Sequence, residues 1–223
     1  MKVLALDSST EACSAACYVN GDVHEIFDVI GRGHAEHLLQ MIDRTLAECQ
    51  VRLADIDLVA FGAGPGSFTG LRIGAAMAQG LALPGDRPVV AVSSLQALAA
   101  AQQGTVLPLI DARMDQVYHA LYRVNPGAAP ALLQDEAVCA PGELTLPGEQ
   151  QILAVGTGWD RYHQEIAASL PGGIMLQGMS GQYPHAADIA VLGAVAADNG
   201  QATAAEQALP HYVRNDVARK MSG

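Results

Sequence analysis

Basic residues are scarce in this sequence. There are 12 Lys and Arg residues against 23 Asp and Glu residues, which gives a net charge of -11. A protein that binds RNA by itself needs cations to replace the counterions of the phosphates, so this composition argues against direct RNA binding. Arg214, Arg219 and Lys220 form a local basic group in the tail, which either contacts RNA or is simply solvated.

Aromatic residues, paired cysteines and long apolar runs are also rare or absent. The four cysteines include no CxxC pair, which argues against a zinc ribbon or a thioredoxin-like site. Cys13 and Cys17 lie two pleats apart on one face of a predicted strand, too far for a disulfide, and all four cysteines are predicted as core residues in a reducing compartment. No stretch approaches the ~18 apolar residues of a transmembrane helix, and the chain begins with a strand pattern rather than a signal peptide. We therefore expect a cytoplasmic chain with no membrane contact.

Two halves of the chain follow the same order of predicted elements. An apolar run that ends at Asp7 is followed by a polar turn, a strand and an Asn-Gly hairpin turn. After Gly104 a second apolar run ends at Asp111, and a turn, a strand and another turn follow. This repeat predicts a duplicated α/β fold with two lobes, residues 1–103 and residues 104–223.

The ends of the two leading strands form a candidate nucleotide site. Ligands of open α/β sheets bind at the carboxyl ends of the strands, and Asp7 and Asp111 lie at such ends. Asp7, Ser8, Ser9 and Asp111 are therefore predicted as a vestigial site for a Mg²⁺-nucleotide, with the two aspartates facing each other across a cleft. An aspartate at a strand end equally serves to close a turn.

A glycine-rich stretch, residues 62–74, joins a predicted strand to a predicted helix. Backbone N–H groups at a helix start can hold an anion. The stretch is not a Walker loop because no GK[ST] follows, and it lacks the third glycine of the Rossmann fingerprint. The small residues of the following helix either pack within the chain or let another helix approach closely: Gly74, Ala75, Ala76, Ala78 and Gly80.

His34 and His37 lie three residues apart at the start of the first predicted helix. Two ligands at this spacing can share a metal, but the sequence has no HExxH and places no carboxylate or cysteine to complete the set. Exposed histidines are the commoner arrangement at a helix start, and we predict no metal site.

Several motifs together resemble one known family. The run GAGPGSFTGLRIGAAMAQGLAL, followed by VVAVSSLQAL, is similar to the TsaB (YeaZ) family of bacterial tRNA threonylcarbamoyladenosine biosynthesis proteins. The resemblance extends to LALDSST, GHAEHLLQMID, IDARMDQVYHALY and PHYVRNDVARK, and so covers nearly the whole chain. It implies a fold of the actin, sugar-kinase and heat-shock-chaperone superfamily. It also implies a paralogous partner, TsaD, which transfers the threonylcarbamoyl group to adenosine of tRNA, and a small ATPase, TsaE.

The sequence departs from the catalytic paralog at the positions that carry chemistry. The paralog binds its metal through two histidines of a segment like NHLEGH, and the corresponding positions here are Ser94 and Leu98. Superfamily nucleotide sites use Asp-x-Gly turns, whereas the second turn here has the bulky Arg113 in place of glycine. These losses predict that the chain keeps the fold of the superfamily but lacks the metal-dependent catalysis and the nucleotide binding.

The resemblance and its departures together predict a non-catalytic partner subunit, which is not an enzyme on its own. The subunit supports TsaD in a heterodimer, acts with TsaE, and meets tRNA only through the complex. It needs no cofactor of its own, and ATP and Mg²⁺ enter only at the level of the complex. A residual ATPase or a glycoprotease-like enzyme is the alternative.

The first two long helices are predicted to carry the partner surface. Their apolar and small residues would pack against the same two helices of the paralog around a quasi-two-fold axis. Because such a surface is self-complementary, the isolated chain is predicted to form a homodimer through it. The predicted interface residues are Leu38, Leu39, Ile42, Leu46, Leu71, Arg72, Ile73, Ala76, Met77 and Gly80.

Overall fold

The computed structural model describes residues 1–148 and 151–213, and these form two five-stranded sheets with helices against them. The basic tail residues Arg214, Arg219 and Lys220 lie outside the described residues. The first sheet contains β1 (Lys2–Asp7), β2 (Ala12–Val19), β3 (Asp22–Val29), β4 (Leu58–Gly64) and β5 (Val89–Ser93). The second sheet contains β6 (Gly104–Arg113), β7 (Gln116–Val124), β8 (Ala131–Cys139), β9 (Gln151–Val155) and β10 (Met175–Met179).

The two sheets have the same topology. Their strand orders are β3-β2-β1-β4-β5 and, read in the matching direction, β8-β7-β6-β9-β10. In each sheet the first three strands are antiparallel neighbours, and the last two run parallel to the leading strand. The duplicated two-lobe α/β fold predicted from the repeat is thereby confirmed.

Within the described residues five α-helices accompany the sheets, and their starts and faces follow from the sequence. They are α1 (His34–Glu48), α2 (Phe68–Ala82), α3 (Ser94–Ala100), α4 (Thr157–Ser169) and α5 (Ala186–Asp198). The Ser67 hydroxyl caps α2 by accepting from the Gly70 backbone N–H. In α1 the buried residues recur at three- and four-residue steps, so one stripe of the helix faces the core. No helix within the described ranges is long and apolar enough to cross a membrane.

The central strands of the first sheet are buried on both faces. One face, with Leu4 and Phe61, packs against α1 and α2. The other face, with Ala5 and Ala60, packs against α5. Gly193 lets α5 approach closely, because a Cβ there would lie 2.6 Å from the Cβ of Ala60. Burial on both faces explains why these strands are apolar without alternation.

Helices α3 and α5 each pack on the sheet of the other half. Leu95 and Leu98 of α3 join the core of the second sheet, next to Ile110. Helix α5 and the segment that follows it pack on the first sheet, where Thr203 bridges to the edge strand β5. The chain passes from α3 to β6 at the predicted boundary, but residues 186–208 of the second half belong by their contacts to the first lobe.

The cysteines are all free thiols. Cys13 and Cys17 are buried on β2 and face the core, and Cys49 and Cys139 are half-buried. Burial raises the pKa of the Cys13 thiol to about 12, with nearby carboxylates acting in the same direction. A thiol in this setting is an unreactive core residue.

Candidate functional site

The turn that follows β1 is buried. Asp7 is 1% exposed and Ser9 is 0% exposed. The backbone N–H and the hydroxyl of Ser9 both donate to Oδ1 of Asp7 at 3.0 Å. The other carboxylate oxygen, Oδ2, has no hydrogen-bond partner among the described residues. Burial therefore raises the pKa of Asp7 to about 6, although the hydrogen bonds from Ser9 act in the opposite direction.

The glycine-rich loop between β4 and α2 covers this turn. The Ser67 backbone N–H donates to the Ser9 carbonyl at 2.7 Å, and the Ser8 hydroxyl donates to the Gly70 carbonyl at 2.9 Å. A Cβ at Gly70 would lie 1.9 Å from the Ser8 carbonyl oxygen, so only glycine permits this approach. The loop therefore packs on the chain's own turn through close backbone contacts.

Asp111 lies at the end of β6 and has both carboxylate oxygens paired. Its side chain is 7% exposed. Oδ2 lies 3.1 Å from Nη1 of Arg113 and 2.9 Å from Nη1 of Arg161. Oδ1 accepts from the Arg113 backbone N–H at 2.9 Å, and the Asp111 backbone N–H donates to the Thr157 hydroxyl at 3.0 Å.

A cleft of about 350 Å³ separates the two lobes at these turns. Ser9 and Asp111 line the cleft, but Asp7 and Ser8 do not. This corrects the expectation that Asp7 faces Asp111. Asp7 is sealed beneath the glycine-rich loop, where a Cβ at Gly62 would lie 1.9 Å from its Oδ2.

Glu11, rather than Asp7, faces the second lobe. Nη2 of Arg113 lies 2.6 Å from Oε1 of Glu11, so the guanidinium spans the cleft. The residues do not fit a Mg²⁺-nucleotide, since both carboxylates of the cleft are already paired and Arg113 fills the place of a glycine turn. Sequence reasoning missed Glu11 and Arg161 because they lie 102 and 50 residues from their partners, and no local pattern connects them.

The positions that correspond to the paralog's metal ligands carry no ligand set. Ser94 is fully buried and its hydroxyl has no hydrogen-bond partner within the described part of the chain. Leu98 is 1% exposed and lies next to Gly156. A Cβ built at Gly156 would lie 2.6 Å from Cδ2 of Leu98. His34, which the sequence placed three residues from His37, contacts the Thr10 carbonyl through Nε2 at 2.9 Å. Across residues 1–148 and 151–213, no group of three or more His, Cys, Asp or Glu residues could hold a metal ion.

The predicted partner residues divide into a buried set and an accessible set. Leu38, Ile42, Leu46 and Leu71 are at most 9% exposed and pack in the chain's own core, so they are removed from the predicted surface. The accessible residues follow the outer sides of α1 and α2: Leu39, Arg72, Ala76 and Gly80 are exposed, and Ile73 and Met77 are half-buried. The small residues divide in the same way, with Gly74, Ala75 and Ala78 buried and Ala76 and Gly80 outside.

Arg72 links α2 to the end of the described chain. Its guanidinium carbon lies 3.8 Å from the centre of the Phe68 ring, and its Nε donates to the Tyr212 hydroxyl at 3.3 Å. The C-terminal strap, residues 205–212, runs beside α2 and contributes the exposed Leu209. A groove of about 370 Å³ lies between the helix and the strap and is continuous with the exposed side of α2. Sequence reasoning placed Arg72 at the surface but missed the strap, because the contact spans 140 residues.

Comparisons with known proteins agree across sequence and structure. The family model described as TsaD, tRNA N6-adenosine threonylcarbamoyltransferase, matches residues 28–220. The tRNA threonylcarbamoyladenosine biosynthesis protein TsaB of Escherichia coli K12 is 37% identical over 232 residues, which cover 99% of this chain and 97% of the relative. The TsaB protein of Bacillus subtilis 168 is 30% identical, with 86% of this chain and 87% of the relative covered.

Two solved structures from Pseudomonas aeruginosa have the same fold. YeaZ matches with a TM-score of 0.85 and 38% identity, covering 95% of this chain and 99% of that chain. A second protein, described as uncharacterized with similarity to peptidase YEAZ, matches with a TM-score of 0.87 and 39% identity, covering 96% of this chain and 99% of that chain.

Proposed function

The chain belongs to the TsaB family of tRNA threonylcarbamoyladenosine biosynthesis proteins, which have an actin-like fold, and we propose that it serves this pathway as a non-catalytic subunit. Its partner in this proposal is the catalytic paralog TsaD, which carries out the transfer of the threonylcarbamoyl group to adenosine of tRNA. The ATPase TsaE acts on the assembled complex. The net charge of -11 supports contact with tRNA through the complex rather than by this chain alone.

The observation that carries the proposal is the state of the metal-ligand positions. A buried leucine cannot coordinate a metal, and Leu98 fills its site completely by packing near Gly156. Ser94 is buried without a partner and offers a single neutral oxygen. Because the paralog's metal needs two imidazole ligands at these positions, transfer chemistry has to come from the paralog.

Reconstitution with purified components tests this division of labour. The chain is incubated with tRNA and threonylcarbamoyl-AMP, with and without TsaD and TsaE, and the modified nucleoside is measured by mass spectrometry. We expect no threonylcarbamoyladenosine without TsaD, and a rise in product when this chain is added to TsaD and TsaE. Modified tRNA in the reaction that lacks TsaD would overturn the proposal.

The proposed partner surface is the exposed side of α1 and α2. Leu39 of α1 is 52% exposed although it is a large apolar residue, and Ile73 and Met77 of α2 are half-buried. Ala76 and Gly80 let a partner helix approach, since Ala76 is exposed and nothing lies within 4 Å of a Cβ built at Gly80. Exposed apolar residues next to small ones suit the close approach of a partner helix, and exposed apolar patches commonly mark interaction sites.

Ala76→Arg tests the surface. A guanidinium buried without a partner in a helix packing should weaken both the heterodimer with TsaD and the homodimer of the isolated chain at least ~100-fold, equivalent to about 3 kcal/mol. Ala167→Arg, on the exposed side of α4, introduces the same change away from the surface and should leave both assemblies intact. Light scattering measures the assemblies, and circular dichroism checks the fold. A folded Ala76→Arg variant that assembles like the control would place the partner surface elsewhere.

A further inference from the structure

We propose that Arg113 is a built-in ligand of the interlobe cleft, which holds the two lobes together in place of an external one. Its Nη2 lies 2.6 Å from Oε1 of Glu11, which belongs to the first lobe. Its Nη1 lies 3.1 Å from Oδ2 of Asp111, which belongs to the second lobe. One side chain thus connects a carboxylate on each side of the cleft. This inference does not depend on the proposed function.

The second-lobe end of this connection is firmly held. Asp111 also pairs with Arg161 at 2.9 Å and donates its backbone N–H to Thr157 at 3.0 Å. The paired side chains therefore form a row of alternating charges whose sum is zero, in the order Glu11, Arg113, Asp111 and Arg161. An isolated exposed ion pair contributes little, but a network around a carboxylate that is only 7% exposed gives each hydrogen bond a fixed partner.

The backbone that presents Arg113 adopts an unfavourable conformation. Arg113, Met114 and Asp115 have φ angles of 60°, 54° and 53°, in the left-handed region that residues with a side chain seldom adopt. A tight turn between strands with positive φ at its centre normally uses Asn-Gly or Asp-Gly. Arg113 keeps this conformation without glycine, and the contacts of its guanidinium with both lobes offset the strain.

A bridge of this kind would hold the cleft closed without a nucleotide. In two-lobe folds a bound ligand commonly bridges the lobes and stabilises the closed arrangement. Here the guanidinium supplies the positive charge that lies between the two carboxylates, and it comes from the chain itself. The relative position of the lobes is then a constant property of the folded chain.

Hydrogen–deuterium exchange of the full chain tests this assignment. Arg113→Gln removes the charge and the bridge but keeps most of the side-chain length, and Glu11→Gln breaks the same bridge from the other lobe. Each variant should raise the exchange rate of amides in residues 8–12 and residues 110–118 together. The expected increase is about fivefold, the size that a partly exposed ion pair gives. Arg161→Gln is the matched control, since it removes a guanidinium from the same Asp111 without reaching the first lobe. We expect it to change exchange in the second lobe only.

Salt gives a second readout that does not depend on a variant. Raising ionic strength should increase exchange on both sides of the cleft in the wild type and have a smaller effect in Arg113→Gln, because screening acts on the bridge that the variant lacks. Unchanged exchange in residues 8–12 in both Arg113→Gln and Glu11→Gln would overturn the proposal. Faster exchange on both sides of the cleft in Arg161→Gln, as in Arg113→Gln, would also overturn the proposal. The faster exchange would then come from the loss of any partner of Asp111 rather than from the loss of the bridge.

Discussion

Asp7→Asn should flatten the dependence of the chain's stability on pH. Asp7 is 1% exposed, and burial raises its pKa from 3.8 to about 6. Between these values the folded chain holds a proton that the unfolded chain has released, so the free energy of unfolding falls as the pH rises from about 4 to about 6. With about 1.4 kcal/mol for each pKa unit, the cost of ionising Asp7 is about 1 kcal/mol at pH 4.5 and about 3 kcal/mol at pH 7.

Asparagine cannot ionise, so its contribution to stability does not change with pH, although its Nδ2 takes the place of Oδ2 without a hydrogen-bond partner at any pH. Its Oδ1 can accept from the backbone N–H and the hydroxyl of Ser9, as the Asp7 carboxylate does at 3.0 Å. We therefore expect about 2 kcal/mol of the wild type's decline between pH 4.5 and pH 7 to disappear in the variant. Asp188, whose pKa is also raised by burial, titrates in both proteins and cancels in the comparison. The pKa of His185 is raised by its hydrogen bond to Glu25 and, in smaller part, by the charge of Asp7, so the variant loses only that smaller part.

Urea unfolding at a series of pH values measures this difference. Asp135→Asn is the control, because Asp135 is exposed on β8 and its carboxylate remains in water in both states. It should leave the decline as it is in the wild type. An Asp7→Asn variant that loses as much stability as the wild type between pH 4.5 and pH 7 would refute the reasoning, since Asp7 would then carry no cost of burial.

Two further predictions concern the glycine-rich loop and the cleft. Gly70→Ala should lower the free energy of unfolding by about 2–3 kcal/mol, because its Cβ would lie 1.9 Å from the Ser8 carbonyl oxygen, whereas Gly80→Ala in open helix should raise it by about 0.5–1 kcal/mol. If Gly70→Ala and Gly80→Ala changed the free energy of thermal unfolding equally, the loop would accommodate the added Cβ at Gly70 without a steric cost. Calorimetry with Mg-ATP should show no saturable binding below millimolar concentrations, an affinity of only about -4 kcal/mol, because the carboxylates of the cleft are already paired. Micromolar binding would contradict this prediction.

The internal strands could be predicted from the sequence, but two edge strands could not. The run that ends at Asp7 is buried on both faces, so its apolar character is continuous and easily recognised. Strands β8 and β10 lie at the edge of the second sheet, and their burial patterns mix exposed and half-buried positions. Leu132, Leu133 and Met175 are apolar yet about half exposed, so hydrophobic patterning does not mark these strands.

The residues predicted for the partner surface show why periodicity alone does not separate the two faces of a helix. The steps of three and four residues in α1 select Leu38, Ile42 and Leu46, and this stripe is the one that covers the chain's own sheet. The proposed partner surface lies beside this stripe and has fewer apolar residues, such as Leu39. Sequence spacing finds the larger buried face first, and only tertiary contacts separate the two.

The glycine-rich loop shows how a motif that resembles a phosphate loop serves a different purpose. Glycine recurs at every fourth position, and a Cβ at Gly62, Gly66 or Gly70 would lie within 2.3 Å of an atom of the turn at residues 7–9. A phosphate could reach Asp7 or Ser8 only if the loop moved away, and the loop leads directly into α2. Movement of the loop would shift the start of the helix that carries the proposed partner surface. The chain's own backbone therefore covers Asp7 and Ser8, and the same contacts hold the start of α2 in position.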